Sequence, residues 1–231
     1  MKPKTAVYMA TRRKDWYLKV QPSINSMLAN SPGIDRIVIL CEDDVFPYPL
    51  PDKVETINVA NQTFFPQDGP NYRNSWGYMD LLRAALAKIF PNEDKILSLD
   101  ADTIIWRDLS ELWDLDMGEY YVAGVLEPEK TWAYKRNYIN CGMAFWNLEK
   151  MREYGAVDRY INALNDRHFN FCEQDSLSEL FYDKILPLDG SWNMCPYTEQ
   201  PKEEVRMMHF AATPDWYENN QFVKEWRNTW H

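Results

Sequence analysis

Lys95-Ile-Leu-Ser-Leu-Asp-Ala-Asp102 places two carboxylates at the end of a short apolar run. Residues 96–99 predict a buried strand, and residues two apart in an extended chain point to the same side. If the pleat persists, Asp100 and Asp102 face one point, with the small Ala101 between them. Carboxylate oxygens suit a hard divalent cation and, through it, a diphosphate. An acidic turn that closes a strand is the alternative interpretation, so the rest of the chain has to separate the two.

The segments before this motif alternate between strands and helices. Strand, helix, strand is the opening of an α/β fold, and a helix directly precedes the strand that carries the two aspartates. Ligands of open α/β sheets bind at the carboxyl ends of strands, which is where these aspartates lie. The predicted strands here are 5–10, 36–41, 54–59 and 96–99, and the predicted helices are 16–29 and 76–90, the second capped by Ser75.

The segments after the motif continue the mixed pattern. Four further strands and three further helices are expected, which favours a mixed, mostly parallel central sheet. The strands are 120–126, 141–146, 185–188 and 205–210, and the helices are 148–154, 157–164 and 174–182.

Composition and charge restrict the class of protein. The chain has 231 residues, with 25 Lys+Arg against 35 Asp+Glu and a formal charge of -10, which would repel a phosphate backbone, so nucleic-acid binding is not expected. Its four cysteines form no CxxC pair, as expected in a reducing cytoplasm. No apolar window approaches the roughly 18 residues of a membrane span, and no classical signal peptide is recognisable. We expect one cytoplasmic domain without an integral membrane segment.

His209 is the strongest partner for the two aspartates, because it lies at the end of the predicted strand 205–210. The chain has only 3 His, and a buried core histidine is the alternative role for this one. Two carboxylates and one imidazole suit Mn2+ better than Ca2+ or Zn2+, with Mg2+ as an alternative. Asp100, Asp102 and His209 are therefore the predicted metal ligands.

Several blocks of the chain resemble family 8 glycosyltransferases, the retaining GT-A enzymes that include glycogenin and bacterial lipooligosaccharide galactosyltransferases. Residues 83–115, which contain the Asp-Ala-Asp motif, resemble the central segment of that family. Tyr138-Ile-Asn-Cys-Gly-Met-Ala-Phe-Trp-Asn-Leu148 is similar to its FNAGV-like strand, Glu173-Gln174-Asp175 to its DQD element and Met208-His209-Phe210 to its late metal histidine. The blocks occur in family order.

The resemblance implies a single GT-A domain over residues 1–231, with a Rossmann-like nucleotide-sugar-binding fold. Residues 1–113 would form the nucleotide-binding half, 114–215 the sugar and acceptor half, and 216–231 a helical tail. The implied activity is metal-dependent, retaining transfer of a sugar from a UDP-sugar, with glucose or galactose favoured, to an acceptor hydroxyl on a glycan. Bacterial or phage surface glycans are the expected acceptors, with protein or modified DNA as alternatives, and the acidic charge of the chain argues against DNA.

The resemblance also implies donor contacts beyond the metal ligands. Arg83 would be directed at the donor, although a solvated helix charge is the alternative. Thr11 and Arg12 would lie near the nucleoside, with Ala10, Tyr17, Tyr8 or Trp16 against the uracil. The full implied donor set is Ala10, Thr11, Arg12, Tyr17, Arg83, Asp100, Ala101, Asp102, Glu127, Asn140 and Glu173.

By the same resemblance, three residues would line the donor sugar and the reaction centre: Asn140, Glu173 and Gln174. The position of Gln174 lies by the anomeric carbon, but an amide is a poor nucleophile compared with a carboxylate. A front-face route, in which the leaving phosphate oxygen takes the acceptor's proton, is therefore favoured over a covalent intermediate. Glu173 as nucleophile is the second mechanism, and acids at a helix N-terminus are the purely structural alternative for this segment.

The chain departs from the family pattern at three acidic positions. Glu127 and Glu173 replace the usual Asp residues that contact sugar hydroxyls, so each acid reaches one methylene farther into the pocket. Asp215 falls close to the place of a diphosphate-binding Lys. Arg12, Arg13 or Lys202 would have to replace that lysine.

Two aromatic segments admit more than one role. Trp132 and Tyr134 lie in a long loop and could stack on an acceptor sugar, or the loop is an ordinary crossover. Phe222, Trp226 and Trp230 are spaced four apart in the predicted tail helix. Core packing is the first expectation for this stripe, and a homo-oligomer surface the second.

Two other functions share some of these features. A sugar-nucleotide nucleotidyltransferase also needs carboxylates on a metal, but it usually has a glycine-rich loop after the first strand, and Ala10-Thr-Arg-Arg-Lys-Asp15 has no glycine. A catalytically inactive nucleotide-sugar-binding protein would keep the fold and lose turnover. The presence of Asp100, Asp102, His209 and Gln174 disfavours the inactive protein.

Overall fold

A computed structural model describes residues 2–73, 77–128, 136–198 and 204–227. Within these residues seven strands form one sheet, in the order β3-β2-β1-β4-β7-β6-β8. The strands of this sheet are β1 (Thr5–Met9), β2 (Arg36–Cys41), β3 (Val54–Asn58), β4 (Lys95–Leu99), β6 (Val122–Leu126), β7 (Ile139–Asn147) and β8 (Ile185–Leu188), and β5 (Thr103–Ile105) pairs elsewhere.

The sheet is mixed and mostly parallel, as predicted. Strands β1 to β4 are parallel where they pair, and so are β6 and β8. Strand β7 is antiparallel to both of its neighbours, β4 and β6. Leu99 pairs with Met143, so the carboxyl end of β4, where the two aspartates follow, lies beside the beginning of β7.

Helices cover both faces of this sheet. Alternate residues of a strand point to opposite faces, so Val7 joins one apolar cluster while Tyr8 joins the other. Helices α3 to α7 supply the first cluster, and α2 supplies the second. The helices are α1 (Trp16–Lys19), α2 (Gln21–Asn30), α3 (Tyr78–Leu81), α4 (Leu86–Ile89), α5 (Leu148–Glu153), α6 (Ala156–Asp166), α7 (Cys172–Phe181), α8 (Trp216–Asn219) and α9 (Gln221–Glu225).

The predicted strands agree with the structure to within a few residues, but the predicted helix over 76–90 is interrupted. A 3-10 turn, Leu82–Ala85, separates α3 from α4. Gly77 precedes α3 with φ 89, and the predicted cap Ser75 lies outside the described residues. The interruption leaves Arg83 in the 3-10 turn, with only 2% of its surface exposed.

A second, two-stranded sheet was not predicted. Strand β5 pairs antiparallel with β9 (Met207–His209), with Thr103 opposite His209. Because β5 has only three residues directly after the aspartates, its apolar run was too short to separate from the preceding strand. This pairing brings the late histidine to the Asp-Ala-Asp segment.

The tail forms two short helices rather than one. Asn220 adopts an extended backbone, and its side chain accepts a hydrogen bond from Phe222 N at 2.9 Å, which starts α9. The Phe222 ring packs against Trp106, with centroids 5.4 Å apart, and Trp226 joins the same apolar cluster. These two tail residues therefore take part in core packing, while Trp230 lies outside the described residues. Across the described ranges, no helix combines the length and apolarity needed to cross a bilayer.

Candidate active site

Asp100, Asp102 and His209 converge at the carboxyl end of β4. The Nε2 atom of His209 lies 3.2 Å from Asp102 Oδ1 and 3.5 Å from Asp100 Oδ2. One potential ligand atom of each residue lies within 4.8 Å of those of the other two. His209 is only 3% exposed, whereas the Asp100 and Asp102 side chains are 34% and 19% exposed. In this cluster the imidazole is therefore buried, and the two carboxylates are partly exposed to solvent.

Hydrogen bonds from three neighbouring segments fix this arrangement. Asp100 N donates to Gly142 O of β7 at 2.8 Å, and Phe210 N donates to Asp102 O at 2.8 Å. The hydroxyl of Thr103 donates to Asp100 O at 2.9 Å. Each aspartate is thus held by a different neighbouring segment, so the turn between them cannot rotate freely.

Gly142 makes room for the imidazole. A Cβ added there would lie 2.0 Å from Cε1 of His209 and 2.8 Å from Oδ1 of Asn140. Since real side chains do not approach that closely, only glycine at this position leaves space for the ring. The Asn-Cys-Gly segment of β7 is consequently part of the site.

Arg83 connects the aspartates to the DQD-like segment. Its guanidinium donates through Nη2 to Asp100 Oδ1, and through Nη1 to Glu173 Oε1 at 3.2 Å and Asp80 Oδ1 at 3.4 Å. The predicted alternative of a solvated helix charge is wrong, because the Arg83 side chain is 2% exposed. Its Nε is buried without a hydrogen-bond partner among the described residues.

Carboxylates outnumber cationic side chains in this network. Burial raises the pKa of Glu173 to about 8 and that of Asp80 to about 6, although Arg83 opposes both shifts. The pKa of Arg83 lies above its usual value, because the Asp100, Glu173 and Asp80 carboxylates outweigh the opposing effect of burial. One guanidinium does not compensate the buried negative charge, and this is an environment that favours an added cation.

The donor set fits a divalent metal ion. Two carboxylates and one imidazole nitrogen converge, and the glycine cradle leaves the imidazole in place. Burial opposes protonation of His209, but the Asp102 carboxylate outweighs it, so the pKa of the imidazole lies well above its usual 6.5. A proton on His209 therefore offsets carboxylate charge in the protein alone, and a cation in the cluster would replace that proton.

Gln174 lies at the start of α7, anchored to β7. Its Oε1 accepts a hydrogen bond from Cys141 N at 3.0 Å. The neighbouring Asp175 accepts from Tyr138 OH at 2.6 Å and from Phe171 N at 3.1 Å, which ties the beginning of the helix to the same strand. The amide oxygen of Gln174 is thus already engaged by the backbone.

Glu127 and Asn140 form a second polar group next to the metal cluster. Asn140 Nδ2 donates to Glu127 Oε1 at 2.8 Å, and Tyr197 OH donates to the same oxygen at 3.2 Å. Asn140 Oδ1 accepts from Gly142 N at 2.9 Å and from Asn193 Nδ2 at 3.0 Å. Both side-chain hydrogen bonds to Glu127 fall on one oxygen, so Oε2 is left without such a partner among the described residues.

Thr11, Arg12 and Tyr17 come together at the ends of β1 and β2, around Glu42. Thr11 Oγ1 and Arg12 N both donate to Glu42 Oε2, the latter at 2.9 Å. Arg12 Nη1 lies 3.4 Å from Asp43 Oδ1. Tyr17 OH donates to Asp43 Oδ2 at 2.8 Å and accepts from Glu42 N at 2.8 Å. These predicted donor contacts form one internally paired group.

Other predicted donor residues are less accessible. Ala10 and Tyr8 are 0% exposed, and the Tyr8 hydroxyl bonds Ser23, so neither offers surface to a ligand. Ala101 is 5% exposed. Trp16 stacks on Trp216, with centroids 6.2 Å apart, which commits that ring to the tail. Strand packing therefore removes Ala10 and Tyr8 from the expected uracil contacts.

Asp215, the residue near the expected lysine position, is exposed at the beginning of α8. Of the predicted replacements for that lysine, Arg12 forms ion pairs with Glu42 and Asp43. The backbone N–H of Arg13 donates to Thr11 Oγ1 at 3.3 Å. Lys202 and the loop aromatics Trp132 and Tyr134 lie outside the described residues.

The structure adds site residues that the sequence did not single out. Asp80 lies one helical turn before Arg83, and that spacing was the available signal. Glu42 gathers the predicted nucleoside residues, and its position directly after β2 could have indicated it. Asn193 and Tyr197 follow a 3-10 turn in an irregular segment, so no periodic pattern marked them.

Comparison with known proteins identifies the family. The model of glycosyl transferase family 8 matches residues 14–215. A putative glycosyltransferase of Haemophilus influenzae is 28% identical over 144 residues, which cover 56% of this chain and 44% of the relative. General stress protein A of Bacillus subtilis is 29% identical over 114 residues, which cover 45% of this chain and 40% of that protein. The chain thus spans less than half the length of these two relatives.

A solved structure supports the fold. The galactosyltransferase LgtC, in complex with donor and acceptor sugar analogs, superposes with a TM-score of 0.69 at 17% identity, over 90% of this chain and 87% of LgtC. This likeness confirms the GT-A fold, and the family match extends over most of the sequence. The chain therefore belongs to glycosyl transferase family 8.

Proposed function

We propose that this protein is a metal-dependent, retaining glycosyltransferase that moves a sugar, glucose or galactose first, from UDP to an acceptor hydroxyl on a glycan. The observation that carries the proposal is the convergence of His209 Nε2 on Asp102 and Asp100, at 3.2 and 3.5 Å. The cluster lies at the carboxyl end of β4, where open α/β sheets bind ligands. No observation favours nucleotidyl transfer or a purely binding role.

The proposed cofactor is Mn2+, with Mg2+ as the alternative, held by Asp100, Asp102 and His209. When bound, such an ion neutralises the negative charge that builds on the leaving diphosphate. Mixed nitrogen and oxygen ligation favours Mn2+ over Ca2+, and the cluster contains no thiolate ligand that would favour Zn2+.

Arg83 sets the orientation of this site. Its buried guanidinium holds Asp100 with one nitrogen and Glu173 with the other. A planar guanidinium fixes two carboxylates at a defined separation. Arg83 would therefore keep the metal-binding aspartate and the sugar-facing acid in register.

The chain's own residues favour front-face substitution. Glu173 Oε1 lies 3.2 Å from Arg83 Nη1, so this carboxylate is held by the guanidinium and is poorly placed to act as a nucleophile. Gln174 Oε1 is engaged by Cys141 N. In the proposed step the bond from the anomeric carbon to phosphate oxygen breaks with its electron pair on that oxygen, which takes the acceptor's proton. The acceptor oxygen bonds the same face, so the configuration is retained.

Glu127, Asn140 and Glu173 are proposed to bind donor-sugar hydroxyls. Asn140 and Tyr197 both bond Glu127 Oε1, so with respect to the described residues the second oxygen remains available to accept from a sugar hydroxyl. Thr11, Arg12 and Tyr17 would form the nucleoside side of the cleft. Asp215 is exposed and Arg12 pairs with Asp43. The proposed contacts for the diphosphate are therefore the metal cluster, Arg13 and Lys202, the last of which lies outside the described residues.

We also propose the domain extent, the cellular location and the oligomeric state of the protein. We place the activity in one domain over residues 1–231, in the cytoplasm, where the four buried thiols of the chain would stay reduced. A homo-oligomer through the tail is proposed as well. Phe222 and Trp226 are partly buried against the apolar cluster of the tail, and Trp230 lies outside the described residues.

Donor hydrolysis tests the proposal. The full chain is incubated with UDP-, GDP- and CMP-sugars and Mn2+, and free nucleotide is measured together with the anomeric configuration of the released sugar by proton NMR. We expect UDP release from UDP-glucose or UDP-galactose, with the α-anomer formed first. Release of the β-anomer would refute retention, and no release from any UDP-sugar, with glycan acceptors present, would refute the activity.

A further inference from the structure

Cys195 lies on the far side of the His209 imidazole from the two aspartates. Its Sγ is 3.7 Å from Nδ1, while Nε2 of the same ring lies 3.2 Å from Asp102 Oδ1. The thiol is 2% exposed. The ring therefore stands between a sulfur atom and the carboxylates, with one nitrogen toward each.

The backbone holds this sulfur in place. Met194 N donates to Met207 O at 3.0 Å, and His209 N donates to Met194 O at 2.9 Å, so the segment before Cys195 runs along β9. Cys195 N donates to Thr198 Oγ1 at 3.2 Å. A Cβ at Gly142 would fall 2.0 Å from Cε1 and 2.5 Å from Nδ1 of His209, so the glycine backbone also confines the ring.

The hydrogen-bonding capacity of the thiol matches this position. Cys195 Sγ donates to Asn193 O at 3.9 Å and is also in hydrogen-bond contact with the Tyr197 side chain. A thiol sulfur has two lone pairs, so it can still accept from a ring N–H group. An imidazole that ligates a cation through Nε2 carries its proton on Nδ1, and a fixed acceptor for that proton orients the ring. We propose that Cys195 is a positioning residue whose sulfur accepts the Nδ1–H of His209 and holds Nε2 toward Asp100 and Asp102. This inference rests on the proposed metal site.

Three variants separate this role from simple packing. Cys195→Val keeps the bulk of the side chain and removes the acceptor, whereas Cys195→Ser keeps an acceptor. Cys41→Val is the matched control, since Cys41 is also fully buried and its thiol donates to Asp43 O at 3.3 Å, away from His209. If Cys195 only packs, Val should be tolerated better than Ser in an apolar pocket. If it positions the ring, the order is reversed.

The test is a titration of each full-length variant with Mn2+ alone, in which free Mn2+ is counted by electron paramagnetic resonance. We expect Cys195→Val to weaken Mn2+ binding by roughly tenfold or more, the range typical for loss of a partner that orients a metal ligand. Cys195→Ser should keep most of the affinity, and Cys41→Val should match wild type. Equal binding by Cys195→Val and wild type would overturn the inference and leave the metal site intact. Failure of wild type to bind Mn2+ would overturn both.

A second measurement needs no substitution of Cys195. The chain contains only 3 His, so long-range proton–nitrogen NMR of the Mg2+-loaded wild type can resolve their ring nitrogens, with His209→Gln assigning the signals. The positioning role predicts a proton on Nδ1 and an unprotonated Nε2 for His209. A proton on Nε2 would contradict it even if every variant folds poorly.

Discussion

Two edges of the candidate active site differ in how deeply they bury their charged side chains. We call them the metal edge and the nucleoside edge. The metal edge consists of Asp80, Arg83, Asp100, Asp102, Glu173 and His209, and the nucleoside edge of Thr11, Arg12, Tyr17, Glu42 and Asp43.

The ion pairs of the nucleoside edge involve a solvent-exposed arginine. Arg12, with a 58% exposed side chain, lies 3.4 Å from Asp43. The metal edge buries Arg83 to 2% exposure among three carboxylates. A buried, incompletely compensated network costs folding free energy unless something else binds. The nucleoside edge also has one guanidinium for two carboxylates, but Arg12 is exposed to solvent that screens the pair. The comparison teaches that burial of the charges, more than their number, distinguishes the metal edge and makes it the place for an added cation.

Replacing the arginine of each edge by methionine should give the largest difference between the two edges, in the free energy of unfolding. Arg83→Met would leave Asp80, Asp100 and Glu173 around a neutral side chain, and we expect a loss of about 3–5 kcal/mol in the free energy of unfolding, as for broken buried pairs. Arg12→Met removes a surface pair and should cost about 0–1 kcal/mol. Urea unfolding at pH 7 measures both. Similar losses for the two variants would mean that the edges do not differ.

A side chain placed against the His209 imidazole should reduce Mn2+ affinity by more than a general loss of stability would. In Gly142→Ala the new Cβ would fall 2.0 Å from His209 Cε1, so the ring has to move and Mn2+ affinity should fall by roughly tenfold or more. Gly124→Ala is the control, because its Cβ would approach Ile139 Cδ1 at 2.8 Å in the same sheet. We expect that control to lose stability and keep its Mn2+ affinity. Calorimetric titration would show the difference, and equal affinities for the two variants would contradict the cradle.

The sequence predicted the metal edge better than the nucleoside edge, for physical reasons. Strand β4 followed by Asp100 and Asp102 is a local pattern, and His209 is one of only 3 His. The paired group around Glu42 depends on contacts between separate strand ends, which no periodicity reports. The burial of Ala10 was missed for the same reason, since neighbours from other strands decide exposure.

Long-range geometry also explains the other omissions. The β5–β9 pairing joins segments about a hundred positions apart, so the short run after Asp102 gave no separate strand signal. Cys195 could be predicted only as a free thiol, because its place beside His209 is set by that pairing. The helix interruption that buries Arg83 came from packing and overrode a continuous apolar pattern.

The pH dependence of stability should report the carboxylate excess. The pKa of Glu173 is raised by burial from 4.5 to about 8, so the folded protein binds an extra proton between these values. Stability is therefore highest below about pH 4.5 with respect to this group and falls as pH rises toward 8. Glu173→Gln should flatten that slope and raise the melting temperature at pH 9 by several degrees. If stability changed with pH between 5 and 8 as steeply in Glu173→Gln as in wild type, the excess of buried carboxylates would be contradicted.

The smallest expected effect concerns donor choice. Glu127→Asp shortens the acid that bonds Asn140 at 2.8 Å and Tyr197 at 3.2 Å, so its contact with a sugar hydroxyl should weaken. We expect a change of roughly tenfold or less in the relative hydrolysis rates of UDP-glucose, UDP-galactose, UDP-xylose and UDP-GlcNAc. Glu55→Asp, in an exposed pair with Arg36, is the control. An unaltered ranking for Glu127→Asp would remove this acid from sugar selection.

The central claim is that Asp100, Asp102 and His209 hold a divalent cation required to break the bond between sugar and diphosphate. The most direct test measures nucleotide release from the preferred UDP-sugar after chelation and again after Mn2+ is restored. Wild type, Asp102→Asn and the exposed control Asp183→Asn are compared. We predict that chelation abolishes and Mn2+ restores release in wild type and the control, while Asp102→Asn loses more than the roughly 10–100-fold typical of an outer partner. Release by Asp102→Asn at the wild-type rate, with the same Mn2+ dependence, would contradict the account.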